Sequence, residues 1–141
     1  AEGDYKSVDV LVTSVEEAKR FAEESGIDAM AVAIGTAHGN YKEKPQLRID
    51  RLKEIHAAVK TPLVLHGGTG LTETDFRTCL ANGIQKINIA TASYDASAAK
   101  IKEVAAANPQ AKYFDFSDAI VQGTYENVKK HMHIFGLEHK A

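Results

Sequence analysis

The sequence predicts an α/β fold built on parallel strands. Three observations carry that expectation: strand-like segments at residues 29–35, 62–65 and 85–90, the first two of them unbroken apolar runs, amphipathic helical stretches between them, and the strict alternation of the two. Alternation of this kind joins parallel strands through right-handed crossovers. The chain has 141 residues, 44% hydrophobic and 26% charged, with 10 Gly and 3 Pro, which suits one folded unit over residues 1–141 with no repeat or linker inside it.

The elements follow in order. Ser14-Val15-Glu16-Glu17 has the form of a capping box, and Val15, Ala18, Phe21 and Ala22 then share a helical face until Gly26 stops the helix. Asp28 leads into the first strand, Ala29 to Gly35. Ile49, Leu52, Ile55 and Val59 have helical spacing, and Pro62 to Leu65 is the second strand. Thr72 to Asp75 opens another capped helix, with Phe76, Cys79 and Leu80 inward and Gly83 at its end. Residues 85–90 form the third strand. Helices over residues 93–107 and 117–135 follow, separated by Asn108-Pro109. The apolar runs read as strands covered on both faces, so three strands alone leave edges that need neighbours from elsewhere.

Composition removes several function classes. Seventeen Lys and Arg against nineteen Asp and Glu give a net charge of -2 with no basic run, which argues against nucleic-acid binding. No apolar run approaches the roughly 18 residues that span a bilayer. One cysteine, Cys79, excludes an internal disulfide and suits a reducing, cytoplasmic setting. Ala1-Glu2-Gly3-Asp4 has neither an initiator Met nor a signal-peptide layout, so the chain is expected to begin within a longer protein.

In parallel α/β folds the C-terminal strand ends share one face, where sites form. Here they run into Gly35-Thr36-Ala37-His38-Gly39-Asn40-Tyr41, His66-Gly67-Gly68-Thr69-Gly70 and Asn88-Ile89-Ala90-Thr91. Neighbouring strands lie about 4.8 Å apart, so histidines at two tips can reach one ion. His38 and His66 are therefore the candidate metal ligands. The other histidines read as surface or helix-face residues, and His131 and His133 do not share a helical face. The glycine-rich turn before a capped helix is a candidate phosphate cradle, because unpaired amides and the helix dipole favour an anion there. Asn88 and Thr91 add an amide and a hydroxyl suited to an oxygenated substrate.

These motifs, Ala-Val-Ala-Ile-Gly-Thr-Ala-His-Gly-Asn-Tyr at residues 31–41, Pro-Leu-Val-Leu-His-Gly-Gly-Thr-Gly at 62–70 and Lys-Ile-Asn-Ile-Ala-Thr at 86–91, strongly resemble the class II, zinc-dependent fructose-bisphosphate and tagatose-bisphosphate aldolases. The resemblance implies the C-terminal half of a (β/α)8 TIM barrel, with strands six to eight. It implies that His38 and His66 bind zinc and that Gly39, Gly67, Gly68 and Thr69 hold dihydroxyacetone phosphate. Asn88, Ile89, Ala90 and Thr91 would complete the substrate contacts, Asn88 in a catalytic role, with a monovalent cation near the phosphate. The family's mobile loop carries Gly-Gly-x-Glu-Asp; residues 1–12 sit where its tail would lie, with Gly3 in place of the usual acid and Glu2 as a catalytic candidate.

The implied reaction is aldol cleavage of fructose 1,6-bisphosphate to dihydroxyacetone phosphate and glyceraldehyde 3-phosphate, a glycolytic step. The substrate clues diverge: Gly67-Gly68-Thr69-Gly70 resembles the fructose-bisphosphate members, whereas Ala90 is common in tagatose-bisphosphate members. The alternatives are tagatose 1,6-bisphosphate or a related phosphoketose, a Schiff-base role for Lys86, or a stand-alone phosphate- or metal-binding module. The family's further zinc histidine and its proton-donating aspartate belong to the N-terminal half, which is the expected partner, together with a second copy in a homo-oligomer. Lys129 and Lys130 are available for a distal phosphate, but their match to the family pattern assigns no site.

Overall fold

The computed structural model describes residues 12–40 and 44–138. The expectations for Glu2 and for the loop tail at residues 1–11 lie outside the described residues, as does Tyr41. Two compact units are present, Ala1–Ile89 and Ala90–Ala141.

The first unit holds α1 (Val15–Ser25), β1 (Met30–Ala31), α2 (Ile49–Ala58), β2 (Leu63–Leu65), α3 (Glu73–Ala81) and β3 (Ile84–Ile87). Its sheet is parallel, in the order β1-β2-β3. Spatial order equal to chain order is how a barrel winds; a doubly wound sheet reverses at its switch point. Both capping boxes form: the Glu17 N–H donates to Ser14 Oγ and the Asp75 N–H to Thr72 Oγ1, each at 3.2 Å, while each acid accepts back from the capping residue's N–H. Gly26 ends α1 at φ 61°, a left-handed conformation that glycine adopts without a Cβ penalty.

The strands pair over more residues than their strict bounds. The Val32 N–H donates to the Val64 carbonyl at 3.3 Å and the Asn88 N–H to that of Leu65 at 3.0 Å. Thr13 pairs with Ala33 on the other side of β1, its N–H reaching the Ala33 carbonyl at 2.9 Å and its hydroxyl accepting the Ala33 N–H at 2.9 Å. It takes the place a preceding strand would occupy.

Burial departs from expectation in two respects. Only β2 is buried along its whole length; residues 30–34 alternate, with Met30, Val32 and Ile34 buried, and Gln85 and Lys86 of β3 are exposed. That is the pattern of strands covered by helices on one face, the other face being uncovered among the described residues. Phe21, expected inward, is 55% exposed, whereas Ala18 carries the buried side of α1. The core gathers Leu52, Ile55, Leu63, Leu65, Phe76 and Cys79 around the sheet, each aliphatic side chain contributing roughly 1.5–3 kcal/mol.

The second unit is a pair of helices, α4 (Thr91–Ala107) and α5 (Tyr113–Ile134), the latter starting four residues before the expected 117. Gly123 of α5 lets the helices close: a Cβ there would stand 2.6 Å from the Ala96 carbonyl oxygen and 2.7 Å from Ser97 Cα. The Ser97 hydroxyl donates to the Ile120 carbonyl at 3.1 Å and lies 2.9 Å from Thr124 Oγ1. Among the described residues, no helix is long and apolar enough to cross a membrane.

Candidate active site

The register of β2 against β3, with Leu65 opposite Ile87, places His66 beside Asn88 one step beyond the strands. Lys86 precedes Asn88 by two residues, and in extended chain such positions share a face. The Lys86 ammonium donates to Asn88 Oδ1, and Asn88 Nδ2 lies 3.0 Å from His66 Nε2. Lysine can only donate, which identifies the bonded amide atom as the oxygen and leaves Nδ2 as the donor. His66 Nε2 therefore accepts, and the ring proton resides on Nδ1. The lone pair engaged by Asn88 is one that a metal ion could take.

His38 reaches the same place by close backbone packing. Gly67 lies at φ 69°, and a Cβ on it would stand 2.3 Å from the Ala37 carbonyl oxygen and 2.9 Å from the Ala37 nitrogen. Only a residue without a side chain lets the loop after β2 lie against the residue before His38. Gly35, at φ 99° with its would-be Cβ 2.3 Å from the Gln46 carbonyl oxygen, anchors the start of that loop in the same way. The rings of His38 and His66 stack with centroids 5.3 Å apart and planes 17° from parallel. His66 is half-buried, whereas His38 is exposed.

Two imidazoles on one tetrahedral zinc, each bonded at about 2.0–2.1 Å, hold their ring centres about 5 Å apart. The separation fits a shared ion, and near-parallel stacking asks one ring to turn so that both direct a nitrogen at it. Neutral nitrogen donors also suit zinc. Among the described residues no third His, Cys, Asp or Glu joins them, so a catalytic zinc would draw its usual third protein ligand from beyond this set.

The glycine-rich loop follows directly. Gly68 and Thr69 are buried, and a Cβ on Gly68 would press on the Phe76 ring at 3.1 Å and on Ile89 Cγ1 at 3.3 Å. Gly39 and Gly70 adopt φ 91° and 90°. At the start of α3 the dipole already faces Glu73 and Asp75. Burial works against the Asp75 charge, but hydrogen bonds from the Thr72 hydroxyl and N–H, helped by Lys44, outweigh it and hold the carboxyl below its ordinary value. Two carboxylates on that first turn make the helix end itself a poor seat for an anion. In the second unit Ala90 is the N-cap of α4, its carbonyl accepting from the Ser93 and Tyr94 N–H groups, and Thr91 is the first helical residue.

Two further groups are resolved by the geometry. Cys79 is buried in the core, and burial, with the Asp75 charge adding, pushes its thiol up to about 11, so it is a packing residue rather than a nucleophile. For Lys86 the sequence suggests only a Schiff-base role. Its part in orienting Asn88 is accessible from their two-residue spacing on one strand, given the right strand boundaries.

The profile of the family described as "Fructose-bisphosphate aldolase class-II" matches residues 1–140. A relative named "Sulfofructosephosphate aldolase", from Alkalicoccus urumqiensis, is 38% identical over 134 residues, covering 94% of this chain and 47% of the relative. The crystal structure of the YdjI aldolase from Escherichia coli K12 superposes with a TM-score of 0.83 at 35% identity, over 92% of this chain and 48% of that one. A fructose-bisphosphate aldolase from Campylobacter jejuni shares the fold, with a TM-score of 0.69 at 22% identity, over 89% of this chain and 45% of that one. The chain spans about half the length of the relatives it matches.

Proposed function

The chain belongs to the class II fructose-bisphosphate aldolase family, and from that premise we propose that it provides part of the active site for metal-dependent aldol cleavage and condensation of a phosphorylated ketose. The observation that carries this reading is the meeting of His38, His66 and Asn88 at adjacent strand ends, with the rings 5.3 Å apart and the amide 3.0 Å from Nε2. We take fructose 1,6-bisphosphate as substrate, giving dihydroxyacetone phosphate and glyceraldehyde 3-phosphate. The rest of the site, including a third zinc ligand, would come from the half of the protein outside this chain.

A zinc ion on His38 and His66 would withdraw electron density from the ketone oxygen and so stabilise the negative charge that builds beside the carbonyl as the C3–C4 bond breaks. Around it, this chain supplies orientation. The Lys86 ammonium fixes the Asn88 amide, and Nδ2 offers a preorganised donor to a substrate oxygen on which charge develops. The backbone of Gly39, Gly67, Gly68 and Thr69 would receive the phosphate of the ketone fragment, with a monovalent cation beside it. Ile89, Ala90 and Thr91 would complete the substrate contacts. Glu2 would carry a proton on the ketone fragment.

A second reading of the substrate is favoured by the 38% identity to the relative named sulfofructosephosphate aldolase: a ketose phosphate bearing a sulfonate instead of the distal phosphate. Tagatose 1,6-bisphosphate is the third candidate. The test is triose-phosphate release by the complete protein from each of the three ketoses, before and after chelation and again after zinc is restored. Zinc-dependent cleavage of one of them is expected, and the preferred one names the substrate. No cleavage of any by the zinc-loaded protein would remove the reading.

A further inference from the structure

Asn88 bonds to His66 in the opposite sense from the usual support of a metal ligand. A histidine that ligates through one ring nitrogen ordinarily donates the N–H of the other to an acceptor, which fixes the ring and raises its basicity. Asn88 donates to the ring instead. With the Lys86 ammonium on Oδ1, the amide presents Nδ2, and its N–H reaches Nε2 across 3.0 Å. A neutral imidazole has one such lone pair, so the amide proton and a metal ion exclude each other at Nε2. Nor does Asn88 turn into a ligand while Lys86 holds its oxygen, because the end of the amide facing His66 is the positive one.

We propose that Asn88 is a placeholder on His66: it occupies Nε2 while the site lacks its ion, yields the lone pair when the ion binds, and is thereby released to a substrate oxygen. The inference rests on the metal reading of His38 and His66 and adds an order of events to it. An interaction made only in the metal-free state weakens ion binding by its own worth. For a hydrogen bond of ordinary net strength that is about fivefold in affinity. The same bond keeps the ring proton on Nδ1, so the imidazole already stands in the tautomer that ligation through Nε2 requires. Lys86 is a positioning residue here, acting through Asn88. Without its ammonium the amide can rotate and offer Oδ1 to the ion, which turns a donor meant for substrate into an additional ligand.

The test measures the zinc affinity of the complete protein at one fixed pH, by competition with a chromophoric chelator. Asn88→Ala is expected to bind zinc about fivefold more tightly than wild type. Lys86→Met should also bind it more tightly, and Lys86→Arg, which keeps a donor on Oδ1, should retain the wild-type affinity. A partner that merely supported the ligand would give the reverse sign, a loss of roughly 10–100-fold. Unfolding cannot mimic a gain in affinity. Equal or weaker zinc binding by Asn88→Ala, with zinc still lost in His66→Ala, would overturn the proposal and leave the metal reading standing. Undiminished zinc binding by His66→Ala would remove both. A second measurement needs no change at position 88: nitrogen-15 spectra of the zinc-free, histidine-labelled wild type in mildly alkaline buffer, with His66 assigned by its absence from His66→Ala. The ring is expected to carry its proton on Nδ1, and a proton on Nε2 would overturn the proposal.

Discussion

Asn88 donates its side-chain N–H to Nε2 of His66 across 3.0 Å, and Lys86 fixes the direction of that donor. Once a metal takes the His66 lone pair, an amide held by Lys86 needs little reorientation to donate to a substrate oxygen on which charge appears. Asn88→Ala in the complete enzyme should therefore lower kcat by about 10²–10³ while KM changes little. Lys86→Met should act in the same direction more weakly, by freeing the amide to turn. If Lys86 instead formed a Schiff base, borohydride with substrate would inactivate the enzyme; resistance to that treatment is expected.

His38→Ala and His66→Ala should each abolish stoichiometric zinc, measured by elemental analysis of the complete protein after dialysis. Removing either histidine leaves an ion short of the three protein ligands usual at catalytic sites. Full zinc in either variant would remove that residue from the coordination sphere.

The loop glycines should separate stability from binding. Gly67→Ala forces a Cβ onto the Ala37 backbone at 2.3 Å in a left-handed conformation, and should cost at least about 2 kcal/mol, read as a lower Tm. Gly68→Val meets the Phe76 ring and Ile89 rather than backbone. It should retain zinc and, if this loop receives the phosphate as proposed, raise KM by narrowing the approach to it.

Asp75 gives a pH signature. Its carboxyl is held below the ordinary value in the folded state, so its stabilisation is complete above the unfolded-state value and is lost as pH falls through the lower folded one. Thr72→Ala removes the hydroxyl partner and should cost about 1 kcal/mol at neutral pH. The deficit should shrink in acid, where wild type loses the same interaction, and denaturant titrations at neutral and acidic pH would measure it.

Local signals were the most legible. Both capping boxes and the Gly26 stop depend on residues within one turn, and the alternation of apolar runs with helices gave the order of elements. The strand limits and covered faces were harder to read, because whether Ala31 or Lys86 is wet depends on what lies across the sheet. Phe21 shared its helical phase with Ala18, yet phase alone does not say how wide a face the neighbouring elements cover. His38, His66 and Asn88 could be nominated from strand ends. Their connection through Lys86 and the contact of Gly67 with Ala37 required the register and the backbone path, which no single window of sequence contains.

The contact between Gly67 and Ala37 has a thermodynamic consequence. The loop bearing His38 and the loop expected to face phosphate meet with no side chain between them, so neither can shift without displacing the other. Ordering one by a ligand spares the other part of its own ordering cost. Metal and phosphate should therefore bind with a shared coupling free energy: each tightens the other by the same factor, whichever arrives first.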